Sequence, residues 1–483
     1  MPTTEVLKSV DELRAEVSAM LDRLAPEQAI GAAVTFQVDP AKQAIFLEKG
    51  KALTHATRKL PGCGSFAVQK HISFKPDAEK GVGHRISEQW ATVSEFRTQW
   101  ESEHLNEFQH SVFDLLVGPP MLNFYVSESV GPGHAPAPVF RTGQVVCWDG
   151  AGNRIGAKGT GDDGAIRAGL KPAGVRFHDN QDGTATDTMT DLIWLKDANL
   201  FGDVAQPAAI ELAKSLAAGA SGLNDGSKPG DWRLPNINEL QSVLNLNNTS
   251  GPSIDLDHPF NNLACANYWS SSVVAAAPPL GWYTALAVGP PVFDLRFNAM
   301  RMWPVRSGAN PRVPKTGAKQ CFDLNGATID CKGTGQDGET QSGIAHPDPR
   351  FQDNGNGTVT DLLTGLIWLK DANAFGTRNW NDALRESNQL ASGQGDLQDG
   401  SRAGDWRLPN LFEMRSIVNY GHFSPALTPG NPFENVIPSL YWSSTTVASA
   451  PNLARFVFVG IGPSVWDHKS VELHVWPVKG GIR

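Results

Sequence analysis

The sequence is poor in cysteine, tyrosine and charged side chains, and it has no long apolar run. Five cysteines among 483 residues are too few and too scattered for a disulfide scaffold. No stretch approaches 18 consecutive apolar residues, so we expect no transmembrane helix. The opening MPTTEVLKSVDELRAEV has neither a basic start nor an apolar centre. No signal peptide is therefore predicted, and a cytoplasmic location is expected, with non-classical export as the alternative.

The charge balance also limits the partners. The formal net charge is −9 and the isoelectric point about 5.8, which argues against a nucleic-acid or anionic-membrane surface. The 48 glycines and 33 prolines, with only 19% charged residues, are typical of a loop-rich protein that still has a substantial core. The length suits about three domains of roughly 100–200 residues each.

The dominant feature is an internal repeat. LIWLKDAN occurs at 192–199 and again, unchanged, at 366–373. DWRLPN, YWSS and WPV recur in the same order, with an offset of 174 residues that becomes 173 after a single one-residue gap. A period this long indicates tandem domains rather than a solenoid, whose repeats run to about 20–50 residues. We therefore predict repeat 1 at 141–308 and repeat 2 at 315–483, joined by a linker at 309–314.

Short motifs predict a mixed α+β architecture for each repeat. DNQDGT and DNGNGT place Asp-Gly or Asn-Gly between strand-like residues, which favours a hairpin, and LIWL reads as a buried strand. Helical patterns follow at 208–218 and 380–390. Asn236 and Asn410 are predicted helix caps, each with a glutamate (Glu239 or Glu413) three residues later in a capping-box arrangement.

Twelve of the 14 tryptophans lie in the repeats. Four pairs occupy matching positions inside apolar patterns, which favours core packing over sugar stacking. The pairs are Trp194/Trp368, Trp232/Trp406, Trp269/Trp442 and Trp303/Trp476. The unmatched aromatic residues fall in segments that differ between the repeats, and we predict them as loop residues that contact a ligand. They are Trp282, Tyr283, Trp380 and Trp466.

The sequence gives little indication of a metal site or of reactive cysteines. DNQDGTATD misses the calcium-loop spacing, because its glycine is fifth rather than sixth, so we expect a turn without metal and no cofactor; calcium is not favoured. Cys321 and Cys331 could pair across the hairpin CFDLNGATIDC, but both are expected to stay free in a reducing cytoplasm.

The N-terminal region has a different pattern. A capping box at Ser9 predicts a first helix over 9–24. The order that follows, strand–helix–strand–strand–helix–strand, predicts a ferredoxin-like sheet over 29–127, with its second helix running unbroken over 92–116. Trp100 and His104 would then share one face of that helix. Residues 128–140, rich in proline and glycine, read as a linker.

The repeat motifs resemble the Lcl C-terminal domain family. The resemblance rests on GTG.DG, RF.DN..GT.TD, T.LIWLKDAN, DWRLPN..E, YWSS and WPV, and it covers both repeats. It implies a fold related to C-type lectins and to formylglycine-generating enzymes, with binding of glycosaminoglycans and host surfaces in the adhesin that gave the family its name. A formylglycine-type cysteine site shared by the repeats is not expected, because Cys265 matches Pro438.

Residues 30–126 resemble the antibiotic biosynthesis monooxygenase family of dimeric α/β-barrels. The resemblance rests on LPGCGSF, on SEQWATVSEFRTQWESEHLNEF and on LLVGPPMLNFYV. It implies a homodimer and, in catalytic members, cofactor-free oxygenation. His104 is then the candidate base, with Asn106 as a second candidate catalytic residue and Trp90 and Trp100 as pocket walls. The alternative is that Trp100 is core and His104 an ordinary helix residue. Many family members have a histidine where this chain has Trp100.

Two functions follow from these patterns. The first is a binding protein that displays paired lectin-like domains on a dimerising N-terminal domain, with a glycan or protein as ligand. The alternative is a monooxygenase that acts on a quinol or polyphenol, with the repeats as accessory domains. A third, weaker hypothesis is a purely structural assembly subunit.

Overall fold

The computed structural model describes residues 10–22, 30–57, 63–70, 82–90, 93–116, 121–126, 135–172, 174–308 and 311–481. The chain divides into two compact units, residues 1–131 and residues 132–483. No helix within the described ranges is long and apolar enough to cross a membrane.

The first unit is a four-stranded antiparallel sheet with helices. Its elements are α1 (Val10–Leu21), β1 (Ile30–Val38), a short 3₁₀ turn (Pro40–Lys42), α2 (Gln43–Thr57), β2 (Cys63–Lys70), β3 (Val82–Trp90), α3 (Val93–Trp100), α4 (Glu103–Phe113) and β4 (Met121–Val126). The sheet order β2-β3-β1-β4, with every neighbouring pair antiparallel, is the order of a βαββαβ ferredoxin-like unit. The predicted strand and helix order is confirmed here.

The single helix predicted over 92–116 is wrong, because the chain forms two helices. Ser102 has an extended backbone (φ −65°, ψ 146°), and its hydroxyl accepts a hydrogen bond from the Leu105 amide. Serine stabilises a helix start in this way because its oxygen satisfies an otherwise unpaired amide. Trp100 therefore ends α3 while His104 lies in the first turn of α4, and the two side chains do not share a helical face.

The core of the first unit is apolar and aromatic. Phe36 of β1 packs against Phe46 of α2, with ring centroids 5.3 Å apart, and both rings contact Phe108 of α4. Val17 and Leu21 of α1 are buried in the same cluster. The predicted first helix is present from Val10 to Leu21, whereas its predicted cap, Ser9, lies outside the described residues.

The second unit contains both repeats. Repeat 1 has β5 (Cys147–Trp148), β6 (Arg154–Ile155), α5 (Asp163–Ile166), β7 (Phe177–Asp179), β8 (Thr184–Asp187), β9 (Leu192–Leu195), α6 (Gln206–Ser215), α7 (Ile237–Ser242), β10 (Asn267–Val273), β11 (Leu280–Ala285), β12 (Pro291–Leu295) and β13 (Val305–Ser307). Repeat 2 has β14 (Cys321–Phe322), β15 (Thr328–Ile329), α8 (Asp337–Thr340), β16 (Phe351–Asp353), β17 (Thr358–Asp361), β18 (Leu366–Leu369), β19 (Thr377–Arg378), α9 (Trp380–Gln389), α10 (Leu411–Ser416), β20 (Leu440–Thr446), β21 (Leu453–Phe458), β22 (Ser464–His468), β23 (Leu473–His474) and β24 (Val478–Gly480).

The two repeats share one sheet plan. In each, a hairpin at the DN..GT turn pairs with the LIWL strand, and the strand after WPV closes the sheet: the orders are β13-β9-β8-β7 and β16-β17-β18-β24. A second sheet contains β10-β11-β12 in repeat 1 and β19-β23-β20-β21-β22 in repeat 2. Both predicted capping boxes, at Asn236 and at Asn410, are confirmed.

The matched tryptophans are core residues, as predicted. All eight are fully buried. Trp194 and Trp303 pack with ring centroids 4.7 Å apart, and their counterparts Trp368 and Trp476 lie 5.4 Å apart. The repeated motifs therefore specify a common scaffold.

Each repeat begins with a segment that packs on the other repeat. We call residues 141–172 and 315–346 the lead segments. In the first, α5 contacts β20 of repeat 2, and in the second, α8 contacts β10 of repeat 1. The Asn410 side-chain amide donates to the Ala168 carbonyl at 3.1 Å, and Asn236 does the same to Ser342 at 3.1 Å. Such reciprocal contacts between equivalent residues are those of a two-fold dimer, here formed within one chain.

Candidate functional site

A cleft of about 90 Å³ lies where the two repeats meet. It is lined by residues 137–140 before repeat 1, by residues 312–315 where the repeats join, by helix α7, and by helix α10 with Val418 after it. His346 and Thr364 complete the lining. We call it the central cleft. Clefts between packed modules are common ligand sites, because residues from both sides converge on one volume.

Equivalent positions of the two repeats face this cleft. Val139 matches Val313, Asn238 matches Phe412, Gln241 matches Arg415, and Ser242 matches Ser416. The valines and serines are the same on both sides, whereas the other two pairs differ in charge and polarity. The cleft is thus nearly symmetric in shape and asymmetric in chemistry.

Among the buried polar atoms of the described residues that have no hydrogen-bond partner, two lie at the cleft. They are Oε1 of Gln241, whose side chain is 2% exposed, and Nε of Arg415, which is 8% exposed. The Gln241 amide nitrogen donates to the Thr284 hydroxyl, which leaves the oxygen free. Buried polar atoms are nearly always paired, because an unpaired one costs roughly 1–3 kcal/mol.

The hydroxyl and imidazole groups at the cleft are already engaged. The Ser242 hydroxyl donates to the Glu239 carbonyl at 2.7 Å, and Ser416 donates to Glu413 in the same way. His346 Nε2 lies 2.9 Å from the Lys315 carbonyl oxygen. Burial lowers the pKa of His346 to about 4, with Arg350 as a second cause, so the ring is neutral at pH 7. These hydrogen bonds hold the side chains in fixed positions.

Sequence reasoning missed this site. Apart from Thr364 of T.LIWLKDAN, its residues lie outside the repeated motifs. The available signal was the difference between INELQS and LFEMRS at equivalent positions, where a glutamine is replaced by arginine beside a buried capping glutamate. Such a change matters only once the two helices are known to face the same cleft.

The aromatic residues predicted for ligand loops lie in helices and strands, so that placement is wrong. Trp282 is in β11, fully buried against Phe293 and Tyr420, and Trp380 opens α9, where its ring nitrogen donates to the Ser443 carbonyl at 2.8 Å. Neither presents a surface to a ligand. The residues at the equivalent positions of the other repeat, Arg455 and Gln206, are also buried.

Tyr283 and Trp466 differ from these two. Both lie in strands, β11 and β22, and both are partly exposed. Tyr283 packs edge-on against Trp269, and partial burial raises the pKa of its hydroxyl. The structure does not bring these residues into the central cleft, and their ligand-binding role stays a prediction.

In the first unit the candidate base, His104, belongs to a small polar cluster. His104 Nε2 lies 2.9 Å from Gln99 Oε1, and the Gln99 amide donates to the buried Thr57 hydroxyl at 2.9 Å. The imidazole therefore has a structural partner at the break between α3 and α4. Its role as a catalytic base stays a prediction.

The other candidate residues of the first unit have different surroundings. Trp100 is 3% exposed, stacks on Phe96 at 6.1 Å, and lies under the Arg14 guanidinium at 5.5 Å. That is a core position. Asn106 is half-buried in α4, and its backbone carbonyl oxygen lies 2.9 Å from His110 Nδ1, from which it accepts a hydrogen bond when that nitrogen is protonated. The side chain of Trp90 lies outside the described residues.

No group of three or more metal-ligating side chains occurs in the part of the chain that the structure describes. In the DNQDGT turn, which was weighed as a calcium loop, the Asp179 carboxylate is already engaged by protein groups. It accepts a hydrogen bond from the Gln181 amide at 2.9 Å and pairs with Lys196 at 2.6 Å. The Cys321–Cys331 bond across the β14–β15 hairpin is formed, contrary to the expectation of free thiols.

The fold and cleft define a protein of two tandem, reciprocally packed α+β repeats. The model of the Lcl C-terminal domain matches residues 183–306 and 357–479, which is just over half of the chain. The chain belongs to this family, with two copies of the domain. No curated protein sequence matches the chain significantly.

Similar solved structures cover about a fifth of the chain. A conserved protein from Methanosarcina mazei Go1 is 23% identical and matches over 20% of this chain and 92% of its own, with a TM-score of 0.19. A proposed antibiotic biosynthesis monooxygenase from Nitrosomonas europaea is 16% identical over 22% of this chain and 94% of its own, and one from Caulobacter crescentus CB15 is 20% identical over 22% and 92%, both with TM-scores of 0.19. Similarities at this level carry no conclusion about activity.

Proposed function

We propose that this protein is a binding protein whose two Lcl C-terminal domains together form one ligand site, the central cleft. The ligand is a glycan or a protein, and a lectin-like character of the repeats is part of the proposal. The observation that carries it is the pair of unpartnered buried atoms, Gln241 Oε1 and Arg415 Nε, at a cleft shared by both repeats. A ligand that satisfied these atoms would recover the free energy that their burial costs.

The location of the cleft supports the same conclusion. Because it lies between the repeats, it exists only when both are folded and packed. Reciprocal contacts of the lead segments keep the two walls in a fixed relation, as shown by the equal 3.1 Å hydrogen bonds of Asn236 and Asn410 across the repeats. A preformed site avoids much of the ordering cost that binding otherwise incurs.

The first unit is proposed as a dimerisation module. A dimer would carry two central clefts, and two linked clefts bind a multivalent ligand more tightly than one, without any new contact. This suits glycan chains and repeated protein surfaces.

The test is a binding screen of the full-length protein against a glycan array that includes sulfated polysaccharides, with and without calcium. Saturable binding is expected, and Ser416→Trp should abolish it, because an indole at this half-buried wall position fills the cleft. Ser449→Trp, on an exposed turn, is the matched control. If folded Ser416→Trp binds as the parent protein does, the central cleft is not the site.

A further inference from the structure

The central cleft is positively charged in a protein that is negative overall. The chain carries a net charge of −9, yet three cationic side chains line the cleft, and no aspartate or glutamate is among its lining residues. The cations are Arg312, which is exposed, Lys315, which is half-buried, and Arg415, which is buried. A cleft lined by one sign of charge concentrates the field and attracts ions of the opposite sign.

Arg415 differs from the other buried arginines of this unit. Arg350 and Arg407 are each held by two hydrogen bonds to a carboxylate, at 2.6–3.0 Å. Arg455, which also lacks a carboxylate, donates to the Val288 carbonyl at 2.7 Å. The guanidinium of Arg415 instead lies 5.9 Å from the Phe412 ring, and no carboxylate in the described part of the chain pairs with it. Its Nε is buried without a hydrogen-bond partner, and an unpaired buried donor costs roughly 1–3 kcal/mol.

The repeat explains why this arginine is left free. In repeat 1 the equivalent residue, Gln241, donates to the Thr284 hydroxyl of β11. In repeat 2 the position of Thr284 is taken by Val457, which has no acceptor. Arg415 therefore lies at the cleft without the acceptor that its counterpart has in repeat 1.

The remaining titratable group at the cleft does not supply the missing negative charge. His346 is held by the Lys315 carbonyl and is neutral at pH 7. Nearby, Asp361 is fully engaged by Arg350, so that pair contributes no net charge. No carboxylate among the residues that line the cleft offsets the charge of Arg415.

From this geometry we propose that the central cleft binds an oxyanion, a carboxylate, sulfate or phosphate group of the ligand, with the Arg415 guanidinium as its main donor. This rests on the proposed function, in that the cleft is taken as the ligand site. Arginine suits the role because its N–H groups form a fork that matches two oxygens of one anionic group. A volume of about 90 Å³ holds one such group with its point of attachment.

The probes are sodium sulfate, sodium phosphate and sodium acetate, titrated into the full-length protein by calorimetry at pH 7 and constant ionic strength. Saturable binding of one anion per chain is expected for at least one probe. Comparison of the two tetrahedral anions with acetate shows which oxyanion geometry the cleft prefers. No binding of any probe would overturn the proposal.

Three variants assign the binding to this residue. Arg415→Gln should weaken it by about tenfold or more, since a charge-assisted hydrogen bond is lost. The variant should fold, because glutamine already occupies the equivalent place in repeat 1. Arg415→Lys should keep part of the affinity, and Arg402→Gln, which removes an exposed arginine elsewhere in repeat 2, should leave it unchanged. Equal effects of Arg415→Gln and Arg402→Gln would overturn the proposal.

A gain of binding gives an independent check. Gln241→Arg adds a second guanidinium at the equivalent wall position and should tighten anion binding several-fold. If a neutral ligand from the glycan screen is lost in Ser416→Trp but retained in Arg415→Gln, the proposed function stands and the anion proposal fails. If neither variant affects any ligand, both fail.

Discussion

The Thr445 hydroxyl donates to Asp163 Oδ2 at 2.7 Å across 282 residues of sequence, and its counterpart Ser272 donates to Asp337 Oδ2 at 2.6 Å. Each aspartate is the first residue of the short helix in one lead segment, and its carboxyl group is buried against a strand of the other repeat. The two repeats are therefore joined by a reciprocal pair of buried polar contacts. We expect residues 132–483 to unfold as one cooperative unit.

These two carboxyls should make stability fall as the pH rises. Burial raises the pKa of Asp163 to about 7 and that of Asp337 to about 6, whereas an unfolded aspartate titrates near 3.9. The folded state therefore binds the proton more tightly, so the stabilisation is complete below about pH 4 and is lost as the pH rises through about 6–7. The expected loss is on the order of a few kcal/mol in the free energy of unfolding.

The measurement compares urea unfolding of the parent protein with that of the Asp163→Asn/Asp337→Asn double variant between pH 4 and 8. The difference in stability should change with pH and level off above about 7. A difference is needed because His346, whose pKa is lowered, acts in the opposite direction as the pH falls. A pH-independent difference would contradict the prediction.

Arg350→Ala should destabilise the second unit by about 3–5 kcal/mol, because it leaves Asp361 buried without its partner. In the folded protein Arg350 binds both oxygens of Asp361, at 3.0 and 2.8 Å, and also donates to the Ser416 carbonyl. Arg402→Ala, at an exposed position, should change stability by no more than about 0.5 kcal/mol. Chemical denaturation measures both, and similar values for the two variants would refute the assignment.

Asn410→Ala should cost more than the loss of an ordinary helix cap. The side chain accepts from the Glu413 amide at 2.9 Å and also donates to Ala168 in the other repeat. We expect about 2 kcal/mol, roughly one for the cap and one for the hydrogen bond between the repeats. Asn379→Ala removes a cap whose partners all lie within α9, so it should cost only about 1 kcal/mol. Thermal or urea unfolding distinguishes the two.

The cysteines of the second unit should differ in reactivity. Cys265 is exposed and should be alkylated in the native protein. Cys147 is buried, and burial together with Asp162 raises its pKa to about 11, so it should react only after unfolding. Cys321 and Cys331 should react only after reduction. Peptide mapping by mass spectrometry measures the alkylation of all four cysteines. Rapid alkylation of Cys331 without reductant would show that the disulfide bond is absent.

The full-length protein should be a homodimer through its first unit. A sheet of this order in a βαββαβ unit is expected to carry its helices on one side, so its other face needs another layer, and a second copy is the simplest one. Light scattering should therefore give about twice the chain mass of 52.0 kDa. A monomer at micromolar concentration would rule this out.

Much of the architecture followed from local sequence. The LIWL strands, the DN..GT hairpins and the capping boxes at Asn236 and Asn410 depend on neighbours a few residues away, so their motifs predict them directly. The matched tryptophans were assigned to the core correctly because each recurs at a fixed place in an apolar pattern.

Other features were decided only by tertiary packing. Trp282 and Trp380 lie in segments that vary between repeats, yet each is buried because the surrounding elements close over it. The break after Trp100 follows from the competition between helix propagation and a serine cap, which apolar periodicity alone does not resolve.

The central cleft depends on the tertiary structure most of all. Gln241 and Arg415 are 174 residues apart, and nothing local places them at one cavity. Both line the cleft because each lead segment packs on the opposite repeat and holds α7 and α10 beside the same cavity. Sequence by itself determined the two copies of the scaffold. The way the copies pack determined where the cleft lies, because contacts between distant residues, rather than local propensity, create that space.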